Sequence, residues 1–543
     1  MIVTAVEEWI QWREAGCSML PLLRRAALPK SAWRPAAWSG AWEAASDHAL
    51  VLESGKDGRY TYLGLRPNTV IRGKGMEAVI ECYGAGGTVH NDAPMAAPAR
   101  TTVSGKPLEV VRDWMAGRRG PRVADAPKWL GGLAGFWSYD IVRTIERLPV
   151  LAEDDLGLPD YLFLELNELW ILDHAASELI CVRQTNIPAD ADADDTSLER
   201  LHNEALAHTE AMLRIWDGIM TESESPQAAE RLAARQRMMG ADNLQIDVEA
   251  LQGLTSPFPK ERYKAAVERI RDYIGQGDVF QVNLSLRQSA PMRAHPDELY
   301  EWLRVLNPSP YMGYLRCPDF QLVSASPELL VESRDGRLAA RPIAGTRRRG
   351  RTPEEDRRMA DELLVSEKER AEHIMLVDLM RNDLGRIAKY GTVRVTDLMV
   401  IEYYSHVMHL VSQVEGVLAA GKDAYDVIAA AFPGGTITGA PKIRTMEIIE
   451  ELEPTRRGPY TGSLGWIDYN GDMEFNIIIR TMTVKDGTVH IQAGAGIVID
   501  SDPEREYYES LNKAKALWKA MQYSEAWMAS AAGQAGPSEE EQA

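Results

Sequence analysis

Cysteine is scarce in this 543-residue chain: Cys17, Cys82, Cys181 and Cys317 stand far apart, with no Cys-x-x-Cys pair. That spacing argues against a disulfide framework or a thiolate zinc site and fits a reducing cytoplasm. Basic charge is scarce too. Against 80 Asp and Glu there are 60 Lys and Arg, a formal charge of −20, without the basic footprint that a general nucleic-acid binder needs. A small anionic substrate stays open, because a site can be locally basic in an acidic protein. No apolar run reaches the roughly 18 residues that would suggest a membrane span. The opening MIVTAVEEWIQWREAG carries acids where a secretory signal needs a basic start. A cytoplasmic protein, binding neither nucleic acid nor membrane, is the expectation. The rest is ordinary globular composition: 45% apolar and 26% charged, with 14 Trp and 19 Tyr. Wholesale disorder is excluded, and the length suffices for two or more cores.

The first half reads as mixed α/β. Alternation predicts strands over Ala49 to Ser54 and Arg59 to Leu63, joined by a turn at Gly55-Lys56-Asp57-Gly58. Further strands are expected at Thr69 to Arg72, Trp129 to Ser138 and Glu168 to Asp173, and a helix over Leu198 to Ile219. The polar IPADADADDTS (187–197) lacks the glycine and closing Glu of a calcium loop and reads as a solvated loop. TESESPQAAERLAARQ, polar again, suggests a linker within 221–256 between an N-terminal domain (1–220) and a denser C-terminal domain (257–523). There, Lys260 to Gln276 has helical periodicity and Asp278 to Leu284 alternates like a strand. Thr352-Pro353-Glu354-Glu355 and Ser366-Glu367-Lys368-Glu369 carry capping chemistry that opens two helices. A last helix is expected from Glu504 to about Met521, then a disordered acidic tail over 524–543.

Acidic residues are the first candidates for chemistry. Glu372 lies in a predicted helix one turn from the apolar Met375, Leu376 and Leu379. Glu506, Glu509 and Lys513 are three and four apart and share a helix face. Two carboxylates at one site repel unless a cation such as Mg²⁺ lies between them. By spacing alone an ordinary Glu509–Lys513 surface pair is the stronger reading. Gly494 and Gly496 follow a strand, but the third glycine and the helix of a dinucleotide site are missing. Gly434-Gly435-Thr436 precedes a helix and could present N–H groups to an anion, without a Walker ending. His406 and His409 alternate with apolar residues, and a lone strand histidine is usually structural.

Seven segments together carry a resemblance: SASPELL (324–330), RPIAGTRRRG (341–350), EKERAEHIMLVDLMRNDLGRI (367–387), YSHVMHLVS (404–412), FPGGTITGAPKIRTMEIIEELEP (432–454), FNIIIRT (475–481) and QAGAGIVIDSDPEREYYESLNKAKA (492–516). The chain resembles the chorismate-utilising enzymes, specifically component I of anthranilate synthase and of 4-amino-4-deoxychorismate synthase. The resemblance implies an α/β (α+β) fold of two large antiparallel sheets packed together and flanked by helices. It implies that Glu372 and Glu509, with Glu506 adjacent, hold Mg²⁺, and that Glu328 protonates the departing C4 hydroxyl of chorismate. His409 would stand near that chemistry. Thr436, Gly435, Tyr460, Arg480, Gly494, Gly496 and Lys513 would bind the substrate's carboxylates and enolpyruvyl arm. Leu52, Glu53, Ser54, Asn307, Pro308, Ser309, Tyr311 and Met312 resemble a tryptophan pocket, so a bound tryptophan, or even a purely tryptophan-sensing role, is an alternative.

One position bears on the nucleophile. The hydrating relatives have a Lys base where this chain has Gln281, and an amide cannot take a proton from water. Amination is therefore expected. Ala344 is an anthranilate-type residue where many aminodeoxychorismate synthases have a Lys that attacks C2. Yet GGTITGAPK, PTRRGPYTG and GSLGWIDYNGDMEFNIIIRT look more like the aminodeoxychorismate group. That product is the expectation, with anthranilate plus pyruvate the alternative. No cysteine sits in an amidotransferase setting, so a separate glutamine amidotransferase subunit is implied as partner.

Overall fold

The structure is a computed structural model that describes residues 2–28, 37–55, 58–83, 98–187, 195–241, 246–403 and 407–534. The acidic run 190–194, His406 and residues 535–543 lie outside the described residues.

Two 12-stranded antiparallel sheets form the body of the protein, as expected of an α+β chain with flanking helices. Each is shared between the two halves of the sequence. In the first sheet, six strands that precede residue 190 end at Ala49–Glu53, which pairs with Tyr311–Arg316. In the second, Gly132–Trp137 pairs with Ser463–Asp468. The expected halves, 1–220 and 257–523, are thus joined by strand ladders and share cores. Trp38, Trp170 and Met212 pack in one cluster with Trp302 and Trp518, and Trp137 and Phe163 pack in another with Phe475. The reason is that one face of each half-sheet is apolar and must be covered by another layer.

The stretch 221–256, expected as a linker, contains the helix Pro226–Ala241. Ser225 Oγ caps it by accepting from Ala228 N at 3.1 Å, and Pro226 suits the first turn. Ala228 is buried, and Arg235, 2% exposed, pairs with Glu298 at 2.6 Å. Its polarity belongs to a solvated face, not to a loop. The caps at Thr352 and Ser366 form as expected, opening Pro353–Val365 and Glu367–Gly385. The helix expected to stop near Met521 continues over Pro503–Gln534, so 524–534 is no disordered tail. Ser524 is buried, and Glu525 accepts from Arg293 N and Ala294 N at 2.7 and 2.8 Å. Trp527 packs on the first cluster under Arg235.

A chain ending at Tyr523 should therefore lose about 2–4 kcal/mol, from the buried part of Trp527 and the two hydrogen bonds to Glu525. Urea unfolding should show a lower midpoint at nearly unchanged slope; an unchanged midpoint would return 524–534 to the status of a tail.

Candidate active site

Both sheets open onto one cavity of about 560 Å³. Two chain crossings between the sheets build its inner wall. Gln321–Ser326 belongs to the first sheet and Leu329–Arg334 to the second, with Pro327 and Glu328 between them. Met473–Asn476 returns from the second sheet to Thr481–Lys485 in the first through Ile477 to Arg480. The crossings hydrogen-bond to each other: Ile477 N donates to Glu328 O at 3.0 Å, Ala325 N to Arg480 O at 3.1 Å, and Ser326 Oγ to Ile477 O at 2.5 Å. Buried backbone off the ladder needs such partners. Arg480 holds a left-handed φ of 50°, a sparsely occupied region for a residue with a Cβ and one often found at functional sites.

Glu328 is 7% exposed, and its Oε1 finds no hydrogen-bond partner. Burial raises its pKa from 4.5 to about 7, against the Thr436 hydroxyl, which lies near without a well-formed hydrogen bond, and the charges of Arg480 and Lys513. A carboxyl in this state can give a proton near neutrality. His409 lies in Val407–Val417, with Nδ1 at 3.0 Å from Thr346 Oγ1 and 3.3 Å from Gly345 O. Burial lowers its pKa to about 4, so the imidazole is neutral. Ala344 lines the wall beside it and offers no nucleophile.

The remaining wall comes from helices and one strand. Gln281 begins Gln281–Pro291, and its Nε2 donates to Glu372 Oε1 at 3.1 Å. Glu372, Glu506 and Glu509 all line the cavity. They are not drawn into one cluster: among the described residues no three His, Cys, Asp or Glu stand close enough to hold a metal ion as they are. Glu509 makes the ordinary surface pair with Lys513 at 3.0 Å, and Lys513 Nζ also donates to Gly494 O at 2.9 Å. Thr436, Tyr460, Arg480, Gly494 and Gly496 line the cavity as expected. Gly435 does not. A Cβ there would meet Leu379 Cδ2 at 2.1 Å, so its glycine serves the packing of the loop on Glu367–Gly385.

Sequence reasoning missed Glu369 and Asn283, both in the cavity wall. Glu369 pairs with Arg347 at 3.1 Å. It stands three residues before Glu372, as Glu506 stands before Glu509, and that repeated Glu-x-x-Glu spacing was the available signal. Asn283 stands two residues after Gln281 on the same strand face.

A second cavity, about 620 Å³, is lined by Leu52, Glu53, Ser54, Tyr311 and Met312 together with Tyr60, Tyr62 and Trp466. Asn307, Pro308 and Ser309 do not line it. They buttress the turn behind: Gly55 N donates to Ser309 O at 2.8 Å, and a Cβ on Gly55 would lie 2.9 Å from Pro308 Cα. The Glu53 carboxylate is engaged by Arg304 Nε at 2.6 Å and Trp38 Nε1 at 3.2 Å.

The model of the chorismate-binding enzymes matches residues 51–519. The chain belongs to this family. Among its relatives is aminodeoxychorismate synthase component 1 of Bacillus subtilis (strain 168), 45% identical over 478 residues, covering 88% of this chain and 92% of that protein. Another is anthranilate synthase component 1 of Thermus thermophilus, 49% identical over 405 residues, covering 75% and 80%. The crystal structure of anthranilate synthase component I from Streptococcus pneumoniae superposes with a TM-score of 0.66 at 33% identity, covering 85% and 92%. This chorismate-binding enzyme thus has relatives named as aminodeoxychorismate synthase and as anthranilate synthase, and no described helix is long and apolar enough to cross a membrane.

The cavity has a pH signature. The folded state holds the Glu328 proton more tightly than the unfolded chain, so this group costs stability as pH rises from about 4.5 to about 7. Glu328→Gln removes that loss and should be more stable than the parent by up to about 3 kcal/mol at pH 8, with little difference at pH 4. Urea midpoints at both pH values check this; an equal difference at both would leave the carboxyl at its ordinary pKa.

Proposed function

We propose that the chain is component I of an aminodeoxychorismate synthase, a cytoplasmic enzyme that converts chorismate and ammonia to 4-amino-4-deoxychorismate on the route to 4-aminobenzoate and folate. The observation that carries the reading is Glu328, a buried carboxyl raised to about 7 in a cavity whose Gln281 cannot act as a base toward water. Glu328 gives its proton to the C4 hydroxyl oxygen, which leaves as water. Arg480 and Lys513 are the cations suited to the substrate's carboxylates, Arg480 with two parallel donors. His409 stays neutral and orders Thr346 and Gly345 beside Ala344. With Ala344 in place of a nucleophilic Lys, one ammonia adds at C2 as the C4–O bond breaks, and a second then adds at C4 as the first leaves C2 as ammonia.

Glu372, Glu506 and Glu509 are hard oxygen donors and fit Mg²⁺ by type. When bound there, the ion would supply charge neutralisation and a template for the ring carboxylate. Ammonia would come from a separate glutaminase subunit, since Cys181 and Cys317 are buried and burial raises the Cys17 pKa, against an activated thiolate. Anthranilate formation is the second reading, favoured by Ala344 and by the Thermus thermophilus relative.

Chorismate, Mg²⁺ and an ammonium salt should yield a product that an added lyase turns into 4-aminobenzoate. Fluorescent anthranilate with pyruvate would decide for the second reading, and isochorismate would overturn amination. Glu372→Gln and Glu509→Gln should each lower turnover about 100-fold or more while the chain stays folded. Full activity in either would remove that carboxylate from the metal site.

For the second cavity we propose an aromatic amino acid, tryptophan. Its wall joins Tyr60, Tyr62 and Trp466 to the charges of Asp125, Lys128 and Arg334. Tryptophan at a hundred times its Kd should add about 2.7 kcal/mol to stability. Thermal unfolding with and without tryptophan reads this, and an unmoved Tm leaves the pocket without that ligand.

A further inference from the structure

Two amides face the active-site cavity from one strand. Gln281 and Asn283 stand two residues apart in Gln281–Pro291, so their side chains leave the same face. They are 6% and 9% exposed. Their NH₂ groups are committed: Gln281 Nε2 donates to Glu372 at 3.1 Å and Asn283 Nδ2 to the Thr436 carbonyl at 3.4 Å. Those contacts fix how each amide is turned, since the opposite orientation would set oxygen against oxygen. The two oxygens that remain, Gln281 Oε1 and Asn283 Oδ1, are buried and accept no hydrogen bond. A buried acceptor left so costs about 1–3 kcal/mol, and native proteins rarely leave one without a reason.

The neighbouring strand is shaped around these amides. Asn283 pairs with Gly496 and Ser285 with Gly494. A Cβ on Gly496 would lie 2.3 Å from Gln281 Nε2, and one on Gly494 would lie 2.7 Å from Asn283 Oδ1. The glycines of QAGAG are spaces that admit the two side chains.

We propose that Gln281 Oε1 and Asn283 Oδ1 form an ammonia subsite, each accepting one N–H so that the nitrogen lone pair is turned toward the substrate ring. This rests on the amination reading above. Ammonia offers three donors and one lone pair. Chorismate's carboxylates and ether oxygen donate nothing, and its C4 hydroxyl, a single donor, can satisfy one of the two acceptors. Water could donate to both, but on attack it must shed a proton that neither amide can take. In the reaction the nitrogen lone pair makes the C–N bond and the C4–O bond breaks. The oxygen leaves as water with the Glu328 proton, and a proton lost from the new ammonium group restores Glu328. The amides hold the nucleophile and transfer no proton.

The test is steady-state kinetics of the full chain with chorismate, Mg²⁺ and ammonium chloride, varying each substrate in turn. Asn283→Leu should raise the ammonium KM about tenfold and leave the chorismate KM within about twofold, while Asn283→Gln, which keeps an amide donor for the Thr436 carbonyl and an acceptor for ammonia, should lose less. Gly496→Ala, whose new Cβ displaces the Gln281 amide, should also raise the ammonium KM, and it carries the test if Asn283→Leu does not fold. A raised chorismate KM with an unchanged ammonium KM would overturn the proposal and give the oxygens to the substrate hydroxyl. So would an equal loss in Asn283→Leu and Asn283→Gln. If the parent aminates chorismate and these variants leave the ammonium KM untouched, the subsite alone falls. If the parent forms no aminated product, the functional reading falls with it.

Discussion

The floor of the active site hangs on one buried ion pair. Arg457 and Glu453, 4% exposed each, meet at 2.7 and 3.0 Å. Arg457 also donates to the carbonyls of Ile437 and Asn283 at 2.8 and 2.7 Å, while Glu453 accepts from Ser285 N and Oγ at 2.8 Å. One pair therefore ties the Gln281–Pro291 strand, the Thr436 loop and the segment before Tyr460 into a single unit. The Arg457 guanidinium also lies over the rings of Tyr139 and Tyr460. Two charges taken out of water are costly unless every donor and lone pair is used, and here nearly all are. Removing one partner of such a pair typically costs about 3–5 kcal/mol. The gain is rigidity where the strand meets the loop through only the two pairs of Gly439–Ala440 and the segment before Tyr460 must complete the wall.

The second constraint is the exchange of strands between sheets. A chain that stays in one ladder points its side chains at a core or at solvent. A chain that crosses between sheets leaves the ladder, and its side chains face the gap. Glu328 and Arg480 stand at two adjacent crossings, which is why an acid and a cation can face one cavity from an apolar interior. The positive φ of Arg480 is held there by bonds between the crossings. Burial raises the Glu328 pKa to about 7, so the folded state gives up stability at this carboxyl once it ionises.

Local chemistry was legible from the sequence. Glu168–Asp173 forms over the expected residues, and the Thr352 and Ser366 caps open the expected helices. What could not be read was long-range. Nothing local says that Glu53 pairs with Met312 or Ser463 with Trp137, so the halves looked like domains. The helix Pro226–Ala241 was hidden because its contacts, among them Ala228, Arg235, Met238 and Met239, are set among polar residues. In the site, residue types at helical spacing marked Glu372, Glu506 and Glu509. Gly494 and Gly496 were visible only as a glycine pattern, because the side chains they make room for lie on another strand.

Charge bookkeeping across the cavity gives the arrangement its logic. With Glu328 neutral, the lining keeps the carboxylates Glu369, Glu372, Glu506 and Glu509 against the cations Arg347, Arg480 and Lys513. Two of those cations are already paired, Arg347 with Glu369 and Lys513 with Glu509. A substrate with two carboxylates would enter a cavity that is not positive and would be repelled by it. Ionised Glu328 would add to that repulsion, so on the proposed mechanism its raised pKa would serve binding as well as proton transfer. A divalent cation beside Glu372, Glu506 and Glu509 would reverse the sign of the acidic side and free Lys513 from Glu509 for the substrate. On this argument the proposed magnesium and the chorismate dianion enter as one electrostatic unit, and the acidic wall, unfavourable to the substrate alone, is what makes room for both.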